Sequence, residues 1–100
     1  MSWSKKLPPI HPGQILQEDF LEPLRMNMNM LAKALHVAPN RIGQIVAGDR
    51  SITAETALRL TRFFGTTPEF WLNLQQRYDL DLARDQHEEL ILTQVQPKAA

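Results

Sequence analysis

The middle of the chain carries two apolar helical patterns separated by a short turn, and this arrangement restricts the fold more than any other feature of the sequence. Leu31 and Leu35 lie four residues apart, which places both side chains on one face of a helix. After the turn, Ile42, Ile45 and Val46 repeat the helical spacing of three and four residues. Two short helices with apolar sides and a tight connection are typical of a helix-turn-helix.

The residues around the turn favour the same structure. His36 occupies the position where one residue is expected to take left-handed backbone dihedrals, and His is enriched there among non-glycine residues. Pro39 suits the first position of the second helix, because no amide donor is needed there and its φ is already helical. Gly48 allows the chain to leave that helix. The sequence therefore predicts a second helix that starts at Pro39 and ends before Gly48.

The second helix of this pair carries hydrogen-bonding side chains opposite its apolar face. Asn40, Arg41 and Gln44 point away from the apolar residues. Amide and guanidinium groups match the donors and acceptors of base edges and phosphates in DNA. The spacing by itself is equally consistent with a helical hairpin inside an all-α domain, so both interpretations stay open at this point.

Length and composition set the scale of the fold. A chain of 100 residues with 43% apolar side chains has enough material for one compact core, so we expect a single small domain. We find no apolar run of about 18 residues and no secretory leader, and therefore expect a cytoplasmic protein without a membrane span. The absence of cysteine excludes disulfides and thiolate metal sites.

Charged residues are distributed unevenly, although the formal net charge is zero. Residues 28–63 contain five basic and two acidic side chains, whereas residues 79–100 contain two basic and five acidic ones. A basic centre and an acidic end suit DNA on one surface and a basic protein partner on another. Ordinary solvated surface charge explains the same asymmetry equally well.

The first helix is predicted to begin at Pro12, with His11 as its cap. Residues 1–9 lack periodicity, and we expect them to form a flexible arm. Pro23 is expected to end or distort the helix, because it lacks an amide proton and its ring clashes one turn back. The predicted apolar face of this helix consists of four side chains: Ile15, Leu16, Phe20 and Leu24.

Further caps predict where the other helices begin. Asn27 precedes the first helix of the central pair, and Thr53 precedes a fourth helix that Gly65 ends. Thr67 followed by Pro68 starts a fifth helix, which is predicted to run to about residue 85. Each cap offers a side-chain acceptor for an amide in the first turn of its helix.

The end of the chain is predicted to form a tail, residues 86–100. Residues 90–95 are an apolar run that indicates a short β-strand. We therefore expect an all-α domain of five helices over residues 10–85, followed by a short tail with a strand-like segment.

The predicted fifth helix is apolar on more than one face, which exceeds what one buried stripe requires. Part of this surface is expected to cover the domain's own core. Another part is expected to be buried by a second copy of the chain, since aromatic anchors are typical of such contacts. Dimerisation is predicted through four residues: Phe70, Trp71, Leu74 and Tyr78. A purely internal core role for these residues is the alternative.

Several segments together resemble a known family. They are His11-Pro12-Gly13, the block from Leu31 to Gly48, and the run Pro68-Glu69-Phe70-Trp71-Leu72-Asn73-Leu74-Gln75. The central block identifies only a superfamily, whereas the other two motifs are more specific. On these residues the chain resembles the HigA-type antitoxins, also grouped with VapI-like regulators, within the phage-repressor-like helix-turn-helix superfamily.

The resemblance implies a five-helix phage-repressor-like fold and a homodimer that binds an inverted repeat in operator DNA upstream of its own operon. It also implies a cognate HigB-like toxin, similar to the RelE-type ribosome-dependent mRNA endonucleases, which the antitoxin neutralises. A protein of this kind is not an enzyme, and we expect no cofactor, metal, membrane or small-molecule substrate.

The resemblance also assigns residues to the DNA surface. Four residues occupy positions that face the major groove in related repressors: Pro39, Asn40, Arg41 and Gln44. Asn40 and Gln44 match adenine, and Arg41 matches guanine or a phosphate. Four others are expected near the DNA backbone, where contacts fix register: Asn27, Lys33, Arg50 and Ser51.

Three residues depart from the pattern of related repressors. Met28 stands where a glutamine often contacts phosphate, Gly43 stands where a larger residue is usual, and Pro39 has no donor for a base. A protein-interaction module that keeps the fold but no longer reads DNA is therefore the alternative function.

The sequence contains no pattern typical of catalysis or metal binding. His11, His36 and His87 are far apart, and none belongs to a metal-ligand spacing. The adjacent acids Glu18-Asp19 and Glu88-Glu89 lack a nearby phosphate loop or nucleophile motif, so we interpret them as solvated. These observations argue against an enzyme.

Overall fold

A computed structural model describes residues 7–99, and within that range all regular structure is helical. The five helices are α1 (Pro12–Ile15, continued as a π-helix over Leu16–Leu21), α2 (Met28–Leu35), α3 (Pro39–Val46), α4 (Ala54–Phe64) and α5 (Pro68–Gln94). The helix α2 packs on α3, α1 crosses α3, and α5 packs on α4 and α1. The predicted all-α fold is confirmed. Within residues 7–99, none of the helices has the length and apolar content of a membrane-spanning segment.

Four helices begin at the predicted capping residues. The side chains of His11, Asn27, Thr53 and Thr67 each accept a hydrogen bond from a backbone N–H in the first turn that follows. His36 ends α2 with φ 58° and ψ 45°, which is the left-handed conformation predicted for the turn. Local capping chemistry therefore determines where most of these helices start and where α2 ends.

The first helix changes its winding after one turn. The N–H of Glu22 donates to the carbonyl of Gln17 at 3.0 Å, a spacing of five residues, and the helix ends before Pro23 as predicted. Leu24 lies beyond the end of this helix, in the turn of residues 22–25 that leads to α2. The predicted inward position of Leu24 is therefore wrong. Its side chain is 55% exposed, whereas Leu16 is completely buried.

The helix α1 crosses α3 closely at Gly13. A Cβ atom at this position would overlap the backbone carbonyl of Ile45, so only glycine fits without moving one of the two helices. Gly48, with φ 83°, follows the end of α3 and lies beside the ring of His11. The start of α1 is therefore fixed against the end of α3.

The core combines the apolar sides of all five helices with one residue of the loop after α3. Its buried side chains are Leu16, Leu21, Leu31, Ala32, Leu35, Ile42, Ile45, Ile52, Ala57, Leu60 and Trp71. The indole N–H of Trp71 donates to Oγ1 of Thr66 at 2.7 Å, and the ring of Phe20 lies 4.9 Å from the indole. Trp71 has no exposed surface left for a second subunit. The predicted dimer contact is therefore wrong at this residue, because its own chain already buries it.

The helix α5 continues to Gln94, beyond the end predicted near residue 85. The predicted strand over residues 90–95 is wrong, since residues 90–94 belong to this helix and Val95 is its C-cap. A short apolar run fits a helix and a strand equally well, and residues 7–99 contain no strand that could pair with it. Of the predicted flexible arm, residues 1–6 lie outside the described residues, and residues 7–9 precede α1 without regular structure.

Candidate nucleic-acid interface

The helices α2 and α3 form the helix-turn-helix that the sequence predicts. Leu31 and Leu35 of α2 are buried in one core with Ile42 and Ile45 of α3. The backbone N–H of His36 donates to carbonyl groups in the last turn of α2, which stabilises the tight turn. Because the apolar sides pack inward, the polar side of α3 is left toward solvent.

The helix α3 presents its polar groups near its N-terminus. Pro39 and Asn40 are exposed, whereas Arg41 and Gln44 are half-buried. The N-cap residue, Ala38, supplies no side-chain hydrogen bond to the first turn. The start of α3 therefore combines the backbone N–H of Asn40 and the positive end of the helix dipole with two amide side chains and a guanidinium. Such a surface can bind phosphates and base edges.

Arg41 is held by an acid from another helix. Its Nη1 donates to Oε1 of Glu55, in the first turn of α4, at 3.2 Å. The other oxygen of Glu55 accepts from Nη2 and Nε of Arg59 at 3.0 and 3.3 Å. Hydrogen bonds from Arg59, followed by the positive charges of Arg59 and Arg41, lower the pKa of this carboxyl below its ordinary value. Glu55 is therefore ionised at neutral pH.

The four residues predicted near the DNA backbone are all exposed: Asn27, Lys33, Arg50 and Ser51. Oδ1 of Asn27 already accepts from the N–H of Met30 at 2.8 Å, so the side-chain Nδ2 is the group that can donate to DNA. Lys33 lies in the last turn of α2. Arg50 and Ser51 follow the C-terminal end of α3, so they lie at the opposite end of that helix from Asn40.

The loop that carries Arg50 and Ser51 is fixed by Gln75 of α5. Oε1 of Gln75 accepts from the backbone N–H of Ile52 at 2.8 Å in a buried hydrogen bond. Its Nε2 donates to Oδ1 of Asp79 at 3.0 Å, so both ends of the amide are satisfied. Sequence reasoning missed this residue because glutamine is usually exposed.

A second fixed point of this region is His11. Its Nδ1 accepts from the N–H of Gly13 at 2.9 Å, and its ring meets Tyr78 of α5 edge to face with centroids 4.8 Å apart. Burial lowers the pKa of His11 below the usual imidazole value, while the negative charge of Asp79 acts more weakly in the opposite direction. The neutral imidazole is the form that can accept the Gly13 hydrogen bond through Nδ1.

The predicted dimer residues other than Trp71 keep part of their surface. Phe70 is 37% exposed, and its ring lies 4.9 Å from the indole of Trp71. Leu74 and Tyr78 are half-buried within the chain. These three side chains can still contact another subunit with their outer edges, so dimerisation through α5 remains a prediction.

Histidine and acidic side chains do not form a group of three that could hold a metal ion anywhere in residues 7–99. His11 caps α1, His36 lies in the turn between α2 and α3, and His87 lies in the second half of α5. The polar groups that the helices place close together are instead hydrogen-bond donors around α3.

Comparison with known proteins identifies the same motif. The model of the helix-turn-helix family HTH_3 matches residues 18–71, a range that contains α2, α3 and α4 completely. Virulence-associated protein I of Dichelobacter nodosus is 54% identical over 78 residues, which cover 78% of this chain and 72% of that protein. The similarity therefore extends well beyond the helix-turn-helix.

Solved structures agree with this similarity. An addiction module antidote protein of the HigA family from Coxiella burnetii has 51% sequence identity and a TM-score of 0.87, over 92% of this chain and 100% of that one. The Pseudomonas aeruginosa antitoxin HigA, solved with the higBA promoter, has 38% identity and a TM-score of 0.88, over 91% and 99%. Both structures cover the helix-turn-helix and most of the remaining helices.

Proposed function

Because this chain belongs to the helix-turn-helix family of HigA-type antitoxins and VapI-like proteins, we propose that it is an antitoxin that binds operator DNA as a dimer and represses its own operon. It acts in the cytoplasm and neutralises a HigB-like toxin of the RelE type. The observation that supports DNA binding is the polar side of α3. On it, Asn40, Arg41 and Gln44 lie opposite the buried apolar side of the helix.

In the proposed complex α3 lies in the major groove. Asn40 and Gln44 form paired hydrogen bonds with adenine, Arg41 binds guanine or a phosphate, and Pro39 packs at the start of the helix. The backbone-facing residues fix the register of the protein on the duplex: Asn27, Lys33, Arg50 and Ser51.

Two copies of α3 are needed to read an inverted repeat. We propose that Phe70, Leu74 and Tyr78 supply the subunit contact, so that the two recognition helices enter successive major grooves about 34 Å apart. The acidic end of the chain, residues 79–100, is the surface we assign to a basic toxin.

The DNA-binding proposal is tested by titrating the purified protein against the duplex upstream of its gene and against a scrambled duplex of equal length. We expect a clear preference for the upstream duplex and a steep loss of affinity with salt, because lysines and arginines displace condensed counterions. Equal affinity for both duplexes at moderate salt would contradict the proposal. In that case the protein-interaction module without DNA reading is the better description.

Two variants separate base reading from backbone contacts. Gln44→Ala is expected to reduce the preference for the operator by about 1–3 kcal/mol, because it removes one paired contact with a base. Lys33→Ala is expected to weaken binding to both duplexes equally and to reduce the salt dependence. If both variants change the two affinities alike, Gln44 does not read a base.

The toxin part of the proposal is tested by co-expression with the product of the neighbouring gene. We expect co-purification of the two proteins and rescue of growth. Gln44→Ala serves as the control, since this variant should keep the rescue while it loses operator preference.

Light scattering of the antitoxin alone tests the dimer, and a monomer at micromolar concentration would contradict the α5 contact.

A further inference from the structure

Both carboxylate oxygens of Glu55 accept hydrogen bonds from arginines, and these arginines lie on two different helices. Oε1 accepts from Nη1 of Arg41 on α3, and Oε2 accepts from Arg59 on α4. The side chain of Glu55 is 59% exposed and that of Arg41 only 27%. The carboxylate is thus an exposed acid adjacent to the surface that we assign to DNA.

The partner of Glu55 on α4 is itself fixed. Nη1 of Arg59 donates to the backbone carbonyl of Leu35 at 2.8 Å, at the last residue of α2. One guanidinium therefore ties the end of α2 to Glu55, and Glu55 in turn restrains Arg41. Because Arg59 has three of its nitrogens engaged, the carboxylate is held in one orientation and is not free to rotate with solvent.

We propose that Glu55 is a positioning residue that sets the guanidinium of Arg41 for sequence reading in the major groove; the inference rests on the proposed DNA-binding function. Arginine carries five N–H donors in a rigid fork. With Nη1 engaged by Glu55, the other nitrogens can address the two acceptors of a guanine edge. A restrained side chain loses less conformational entropy on binding than a mobile one.

The charge of Glu55 has a second effect on specificity. A carboxylate close to the duplex repels phosphates, so it weakens binding to every sequence. The orienting effect on Arg41 strengthens binding only to duplexes with the matching base. On unrelated DNA only the repulsion acts, so loss of the Glu55 charge should strengthen binding. On the operator the loss of orientation at Arg41 outweighs the loss of repulsion, so binding should weaken, and this difference makes the role of Glu55 measurable.

The experiment uses the full chain and the duplex that the wild-type protein enriches from a random DNA pool, with a scrambled duplex as reference. Glu55→Gln is expected to bind the scrambled duplex more tightly than wild type and the enriched duplex more weakly. The ratio of the two affinities should fall roughly tenfold, which lies within the discrimination of one paired base contact. Glu69→Gln, which removes an exposed first-turn acid from α5, is the matched charge control and should leave the ratio unchanged.

Coupling to Arg41 distinguishes positioning from a general charge effect. In an Arg41→Ala background, Glu55→Gln should no longer change the affinity ratio, because the group it positions is absent. A repeat of the selection with Glu55→Gln should lose base preference at the same positions as Arg41→Ala.

The proposal is overturned if Glu55→Gln keeps the wild-type ratio, or lowers it equally with and without Arg41. If the wild-type protein enriches no sequence at all, the proposed DNA-reading function fails first, and the role of Glu55 fails with it. A thermal melting curve of Glu55→Gln accompanies the binding data and shows whether a changed ratio comes from lost positioning or from lost folding, since Glu55 also joins α3 and α4 through its hydrogen bonds.

Discussion

The two halves of α5 share one backbone geometry but are stabilised in different ways. In the first half, residues 68–78, Trp71 and Gln75 are buried and form hydrogen bonds to groups outside the helix. In the second half, every residue from 83 to 94 is exposed, and Leu92 reaches 70%. The first half is therefore held by tertiary packing, whereas the outer part of the second half depends on contacts along the helix itself.

The local contacts along α5 are weak by comparison. Arg77 pairs with Asp81 at 2.9 Å, and Arg84 with Glu88 at 3.8 Å, both at a spacing of four residues. Such pairs contribute about 0.2–0.5 kcal/mol each to helix stability. The comparison shows that the length of a helix and its burial are set by different interactions, so the end of a buried stripe does not mark the end of the helix.

The largest effect is expected for Trp71→Ala. This substitution empties the centre of the core and should lower the free energy of unfolding by about 3–5 kcal/mol. Chemical denaturation monitored by far-ultraviolet circular dichroism measures the change. Trp71→Phe is the matched control and should lose less, since it keeps an aromatic ring and removes mainly the hydrogen bond to Thr66. A loss for Trp71→Ala no larger than that of a surface substitution would remove the contrast between the two halves.

A smaller effect is expected for Gln75→Ala. It leaves the buried N–H of Ile52 without an acceptor, which should cost about 1–3 kcal/mol. Gln76→Ala, one residue later on the exposed side of α5, is the control and should change stability little. Faster hydrogen exchange of the Ile52 amide in the first variant, and not in the second, would link the loss to this bond.

The pH dependence of the free energy of unfolding tests the burial of His11. Its folded pKa is lowered by burial, so the unfolded chain takes up a proton near the ordinary imidazole pKa of about 6.5 before the folded chain does. The contribution of His11 is complete above that pH and is lost as the pH falls toward the folded pKa. His11→Asn retains a capping acceptor and should flatten the loss of stability between pH 7.5 and about 5.5. An identical pH dependence in both proteins contradicts the burial of His11.

The smallest effect is expected in the second half of α5. Leu92→Ala should change the free energy of unfolding by less than about 0.5 kcal/mol, because the side chain is mostly exposed. Amides of residues 88–94 should also exchange faster than those of residues 70–78, since few contacts oppose local opening. A destabilisation of several kcal/mol at Leu92 would show that another molecule covers this part of the helix.

Sequence reasoning succeeded where the cause is local. The caps His11, Asn27, Thr53 and Thr67 each act within three residues, and the structure contains all four. The left-handed turn at His36 is equally local. Such features can be read from a few neighbouring residues, because one side chain and one amide suffice to form them.

Sequence reasoning failed where residues that are distant along the chain determine the structure. Packing against Phe20 placed Trp71 inside the chain. The partner of Arg41 lies 14 residues away, and that of Gln75 lies 23 residues away. No spacing rule along the chain indicates such pairs, because they depend on how the helices cross.

The sequence by itself determined the number of helices, most of their starting points and the polar side of α3, because capping and helical periodicity act over a few residues. Only the tertiary structure decided which apolar residues enter the core and which charges meet around Arg41. Those outcomes depend on crossing distances, such as the one that Gly13 permits between α1 and α3, and they arise only when the whole chain has packed.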